Sequence, residues 1–128
     1  MKNKSIKSVF KPKSFYTIGG KLWVECEGEK FFGPGPVELL ENIEKTGSIN
    51  KAAKEMDMSY KKAWAIINAL NTLVLKPFVI TQSGGEKGGG SIITAEAKKF
   101  IKYHKQLRER FATFLEKETN KLNLSFQV

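Results

Sequence analysis

The stretch from Ser48 to Thr94 limits the fold of this chain more than any other part of it. It reads SINKAAKEMDMSYKKAWAIINAL, then, after a short link, VITQSGGEKGGGSIIT. Ile49, Ala52, Ala53 and Met56 recur at i, i+3, i+4 and i+7, the apolar stripe of a helix, and Ser48 is placed to cap it. Met56-Asp57-Met58 interrupts that period. Ser59 can cap a further helix reaching about Leu73, which Pro77 closes off. Val79 to Gln82 and Ser91 to Ile93 then read as two paired strands around a glycine-rich loop.

The flanks are organised around this unit. Residues 1–13 hold five lysines and no acid, and read as a flexible basic arm. Phe15 to Ile18, a Gly19-Gly20 turn, and Lys21 to Glu27 predict lead-in strands, with Leu22, Val24 and Cys26 alternating against Trp23 and Glu25. Gly28 turns the chain towards Lys30 to Phe32. A first helix is expected from Pro36 to Lys45, burying Val37, Leu39, Leu40 and Ile43, with Gly47 as its stop. Thr94 should cap a long last helix to about Lys117. The expected organisation is an arm at 1–13, a domain at 14–93, and a C-terminal helix and tail at 94–128.

Two helices joined by a short turn must be small where they cross, and Ala52 and Ala53 provide this. The turn needs a residue that tolerates a left-handed backbone, a role open to Asp57. With the glycine hairpin following, the pattern predicts an α+β winged helix-turn-helix, with an N-terminal β-hairpin or strand and a long C-terminal dimerisation helix. Stepping 100° per residue along the helix at about 59–73 puts Tyr60, Ala63, Trp64, Ile67 and Leu70 towards the core. Lys61, Lys62, Ala65, Asn68 and Ala69 fall on the outer side. That face is cationic and otherwise small, which suits a DNA major groove: lysines reach phosphates or guanine, and asparagine can pair with adenine. Contacts are expected from Ser48, Ser59, Tyr60, Lys61, Lys62, Ala65 and Asn68. An ordinary solvated helix face has the same composition.

Five glycines among the seven residues from Gly84 to Gly90 suit close backbone approach, and equally suit plain flexibility. As a wing spanning 83–91, the loop would place Gly84, Gly85, Lys87, Gly88, Gly89 and Gly90 on the phosphate backbone. A phosphate-binding GxxxxGK[ST] loop is excluded because Gly90 stands where its lysine would be. The net charge of +9 is uneven in the same sense: residues 59–93 sum to +3, while residues 36–58 sum to −2. A polyanionic partner fits that asymmetry.

The last helix carries Ala97, Phe100, Ile101, His104, Leu107, Phe111, Phe114 and Leu115 on one stripe. Phe100, His104, Leu107, Phe111, Phe114 and Leu115 are expected at a homodimer interface, against the alternative that this end folds back on the chain's own N-terminal strand. One histidine and one cysteine, Cys26, leave no metal cluster, no disulfide framework and no triad to assemble. Glu38, Glu41 and Glu44 suit a solvated helix face. No apolar run approaches the roughly 20 residues of a membrane span. The expectation is a cytoplasmic non-enzyme without cofactor or metal.

SINKAAKEMDMSYKKAW and GGEKGGGSIIT resemble the N-terminal DNA-binding domain of the molybdate-responsive ModE-type regulators, related to the LysR-type winged helix. The resemblance runs from about Lys21 to Phe114. It implies a dimeric regulator of transcription that binds double-stranded DNA at a palindromic operator. Ser59, Tyr60, Lys61 and Lys62 would begin the recognition helix, Trp64 would pack beneath it, and Gly84 to Gly90 would form the wing. Asp57 departs from the glycine common in the family at that turn. The resemblance is to a stand-alone form without the oxyanion-binding domains, so no molybdate site is expected in this chain. Two other readings stay open: sequence-independent architectural or RNA binding, and a winged-helix module for protein interaction.

Overall fold

The computed structural model describes residues 9–82 and 90–126. Its elements are β1 (Val24–Cys26), β2 (Glu29–Phe32), α1 (Pro34–Thr46), α2 (Ile49–Glu55), α3 (Tyr60–Thr72), β3 (Val79–Gln82), β4 (Gly90–Ile93) and α4 (Ala95–Phe126). Two antiparallel strand pairs, β1–β2 and β3–β4, accompany the helices, so the fold is an α+β winged helix. The chain divides into two compact units: residues 23–105, and residues 1–22 together with 106–128.

In the larger unit, β1 and β2 close through a two-residue turn in which Glu27 and Gly28 both take positive φ, 48° and 88°. That is the turn geometry whose twist matches a tight hairpin. The expected alternation holds over a shorter strand, with Val24 and Cys26 half-buried and Trp23 and Glu25 outward. Trp23 is closed over at its exposed side: Nε1 donates to Glu25 at 2.8 Å and the Lys30 ammonium lies 4.4 Å from the ring centre.

α1 starts at Pro34 rather than Pro36, because Gly33 already accepts the first helical bond from the Val37 amide at 3.0 Å. Proline at the first turn sacrifices no helical donor. Gly47 ends the helix with φ 70°, a conformation that suits glycine. Ser48 and Ser59 cap α2 and α3, each hydroxyl accepting from the amide three residues on, Lys51 at 3.1 Å and Lys62 at 3.0 Å. Between those helices Asp57 has φ 53°, the left-handed corner anticipated for it.

The core of this unit gathers Leu39, Leu40 and Ile43 from α1, Ala52 and Ala53 from α2, and Ala63, Ile67 and Leu70 from α3. The two alanines are fully buried, as a close crossing requires. An aromatic layer adjoins them. The Phe32 and Phe100 rings meet edge-on at 4.7 Å, and Phe32 meets His104 at 5.1 Å. Such edge-to-face contacts add to the burial of apolar area.

Unit 106–126 with 9–22 is built differently. The sequence predicts a turn at Gly19-Gly20, yet neither glycine has positive φ and the chain runs on past them. The Tyr16 amide donates to Asn123 Oδ1 at 3.0 Å, the Ile18 amide donates to Thr119 Oγ1 at 2.9 Å, and Asn123 Nδ2 donates to the Tyr16 carbonyl at 2.7 Å. Two residues of extended chain advance roughly 6.6 Å and four residues of helix roughly 6 Å, so the steps stay in register. Gly20 falls at the next step, where an added Cβ would lie 3.1 Å from the Phe111 ring. These bonds explain why α4 continues to Phe126 instead of ending near Lys117. Within the expected basic arm, Phe10 stacks on Tyr16 with ring centres 3.9 Å apart and also meets Phe126.

Candidate nucleic-acid interface

α3 packs through one side only. Ala63, Ile67 and Leu70 are buried, Trp64 is half-buried against the core, and Lys61, Lys62, Ala65, Asn68 and Ala69 are exposed. The outer ridge is therefore open, with two ammonium groups at its N-terminal end, short side chains behind them, and one amide. Ser59 sits at the head of the ridge with its hydroxyl committed to the Lys62 amide. Ser48 is likewise engaged in capping α2.

Tyr60 departs from its expected place on the core side. It is 48% exposed. It is the first residue of α3, one turn ahead of the Ala63–Ile67–Leu70 stripe, so its ring turns instead onto Trp64, edge-on at 6.3 Å. The pair lines a groove of about 410 Å³ together with Ser48, Asn50, Thr81 and Gln82. This groove joins the start of α2, the start of α3 and the stem of the β3–β4 hairpin.

The hairpin stem is fixed to the helices at two points. The Ser91 amide donates to the Gly47 carbonyl at 3.0 Å, tying β4 to the α1–α2 corner. Asn71 near the end of α3 accepts from the Phe78 amide at 2.8 Å and donates to the Val79 carbonyl at 3.1 Å, tying β3 to α3. Gly90 begins β4. Gly84, Gly85, Lys87, Gly88 and Gly89 lie outside the described residues.

No family model matches the chain. Curated proteins do. The molybdenum transport protein ModE of Azotobacter vinelandii is 37% identical over 87 residues, which are 68% of this chain and 32% of that protein. The DNA-binding transcriptional dual regulator ModE of Escherichia coli K12 is 33% identical over 88 residues, 69% of this chain and 34% of its own. This is a ModE-like chain. The molybdenum-pterin-binding protein MopB of Rhodobacter capsulatus is also similar, 38% identical over 92 residues, again covering 34% of the relative. The ModE-like chain thus spans about a third of the length of the curated relatives it matches.

Of the stripe expected at a dimer interface, His104 is fully buried against Phe32 and Phe100 is half-buried within the same aromatic layer, so both serve the core of residues 23–105. Phe111 and Leu115 are half-buried and face Gly20, while Leu107 is half-buried. Phe114 alone of the six is mostly exposed, at 56%. The alternative of a fold-back onto the N-terminal segment is what residues 16–20 do.

Sequence reasoning missed Asn71, a polar residue on a helix read for its apolar stripe, and Thr119 and Asn123, which lie beyond the expected end of the last helix near Lys117. Their spacing carried one signal: Thr119 and Asn123 stand four apart on one face. Among the described residues no cluster of His, Cys, Asp or Glu could hold a metal ion, and no helix is long and apolar enough to cross a membrane.

Proposed function

We propose that this ModE-like chain is a DNA-binding transcriptional regulator that lays α3 in the major groove of double-stranded DNA. The open ridge of Lys61, Lys62, Ala65 and Asn68, braced by buried Ala63, Ile67 and Leu70, carries the reading. Small side chains at Ala65 and Ala69 allow the helix backbone close to the base edges. Lys61 and Lys62 neutralise phosphates or meet guanine, and Asn68 offers the donor and acceptor that adenine requires. The glycine-rich segment between β3 and β4 acts as the wing on the adjoining backbone, with Lys87 as its phosphate contact. A homodimer would present two such helices to a palindromic site, with half-sites about one helical turn apart. The names of the relatives favour regulation of transcription over catalysis.

Fluorescence anisotropy with a labelled duplex tests this. Binding should weaken steeply with salt, log affinity falling by roughly 0.9 per phosphate neutralised. Reversing charge at Lys61 and Lys62 together (K61E/K62E) should abolish it. A flat salt response, or full binding by the charge-reversed protein, would refute the reading. Equal affinity for every duplex in competition would point to sequence-independent binding instead.

A further inference from the structure

Among the described residues, the groove beneath the Tyr60–Trp64 pair is lined by nine, from α2, α3, β3, β4 and the Ser48 cap, and none of these is charged. Exposed lysines stand next to its lining residues in the chain: Lys51 follows Asn50, and Lys61 and Lys62 follow Tyr60. A nucleic-acid strand has the complementary alternation, a neutral sugar between two anionic phosphates. A phosphate inside the groove would lose water with no cation among the described lining residues to replace it, which is unfavourable. A sugar ring there presents C–H groups to the aromatic rings and leaves its phosphates outside the groove, for exposed lysines of the first turns of α2 and α3.

Resting on the DNA-binding reading above, we propose that this groove seats one deoxyribose of the DNA strand lying between α3 and the β3–β4 hairpin, held by the rings of Tyr60 and Trp64 without an ionic contact. A helix in the major groove and a hairpin beside it have one backbone strand between them, and this is the groove at that place. Tyr60 is the outer wall and is available for it, being half exposed and leaning edge-on against Trp64 rather than entering the core. Tyr60 is then an affinity determinant of a kind distinct from the lysines, because a neutral contact releases no counterions.

The salt dependence of binding separates the two kinds. With a fluorescein-labelled duplex of mixed sequence, Tyr60→Ala should weaken binding about tenfold at every salt concentration, leaving the slope of log affinity against log salt unchanged. Tyr60→Phe should bind like the parent, since the ring and not the hydroxyl makes the contact. Lys61→Ala should lower the slope by roughly 0.9. Thermal melting of each variant controls for folding; Tyr60→Phe keeps the test decisive if Tyr60→Ala melts early. A shallower slope for Tyr60→Ala, or a loss of affinity in Tyr60→Phe, would mean a phosphate held by the hydroxyl and would overturn the proposal. So would unaltered binding by Tyr60→Ala. If Lys61→Ala shows its slope change while Tyr60→Ala behaves as the parent, the DNA-binding reading survives and this inference alone falls; a parent protein that binds no duplex removes both.

Discussion

Replacing Asn123 by alanine should release the N-terminal segment from α4. Asn123 is 8% exposed, accepts from the Tyr16 amide at 3.0 Å, and donates to the Tyr16 carbonyl at 2.7 Å. Truncation removes both bonds and leaves a donor and an acceptor of Tyr16 without their side-chain partner. At about 1 to 1.5 kcal/mol for each bond, the segment should lose roughly 2 to 3 kcal/mol of its hold on the helix. Since about 1.4 kcal/mol is a factor of ten, protection of the Tyr16 and Ile18 amides should fall about 30- to 150-fold in hydrogen exchange read by NMR. Thr119→Val removes only the acceptor of the Ile18 amide and should cost about half as much. Because the two side chains hold adjacent steps of one ladder, the double variant should cost less than the sum of the two. Amides of α3, which belongs to the other compact unit, should keep their protection throughout. Unchanged exchange at Tyr16 and Ile18 in Asn123→Ala would refute the ladder as the source of the attachment.

Asp57→Gly should leave stability equal or higher, and Asp57→Ala should lower it by about 1 kcal/mol in urea titration, because φ 53° strains a residue with a Cβ and no local hydrogen-bonding side chain. Asn71→Ala should destabilise by about 1 to 3 kcal/mol, since the Phe78 amide is part-buried and loses its acceptor; thermal or urea unfolding measures it. Leu40→Ala should cost about 2 to 5 kcal/mol by the same titration, as Leu40 is fully enclosed between the helices.

The helix-turn-helix was legible because each of its devices is local. Ser48, Ser59 and Gly47 announce helix ends within three residues of the groups they satisfy, and Ala52 with Ala53 announces a crossing. The hairpin at Glu27-Gly28 was legible for the same reason. What sequence could not reveal depends on groups distant in the chain. Tyr16 meets Asn123 across 107 residues, and no periodicity around either shows that one will hold the other. Gly19-Gly20 has the composition of a turn, but Gly20 serves close approach to Phe111, a distinction made only by the partner. Tyr60 has the angular position of a core residue, yet at the first turn of α3 it stays half exposed and turns onto Trp64. The ridge itself, Lys61 to Asn68, followed from angle alone because the middle of a packed helix keeps its two sides distinct.

A single residue, Gly47, serves three elements at once: its amide terminates α1, it precedes the cap of α2, and its carbonyl receives the Ser91 amide of β4. Insertion or deletion of a residue at that corner would break all of these together. The segment joining Gln82 to Gly90 has its ends clamped by the corner and by the strand ladder. An insertion or deletion between Gln82 and Gly90 should therefore leave α3 where it is.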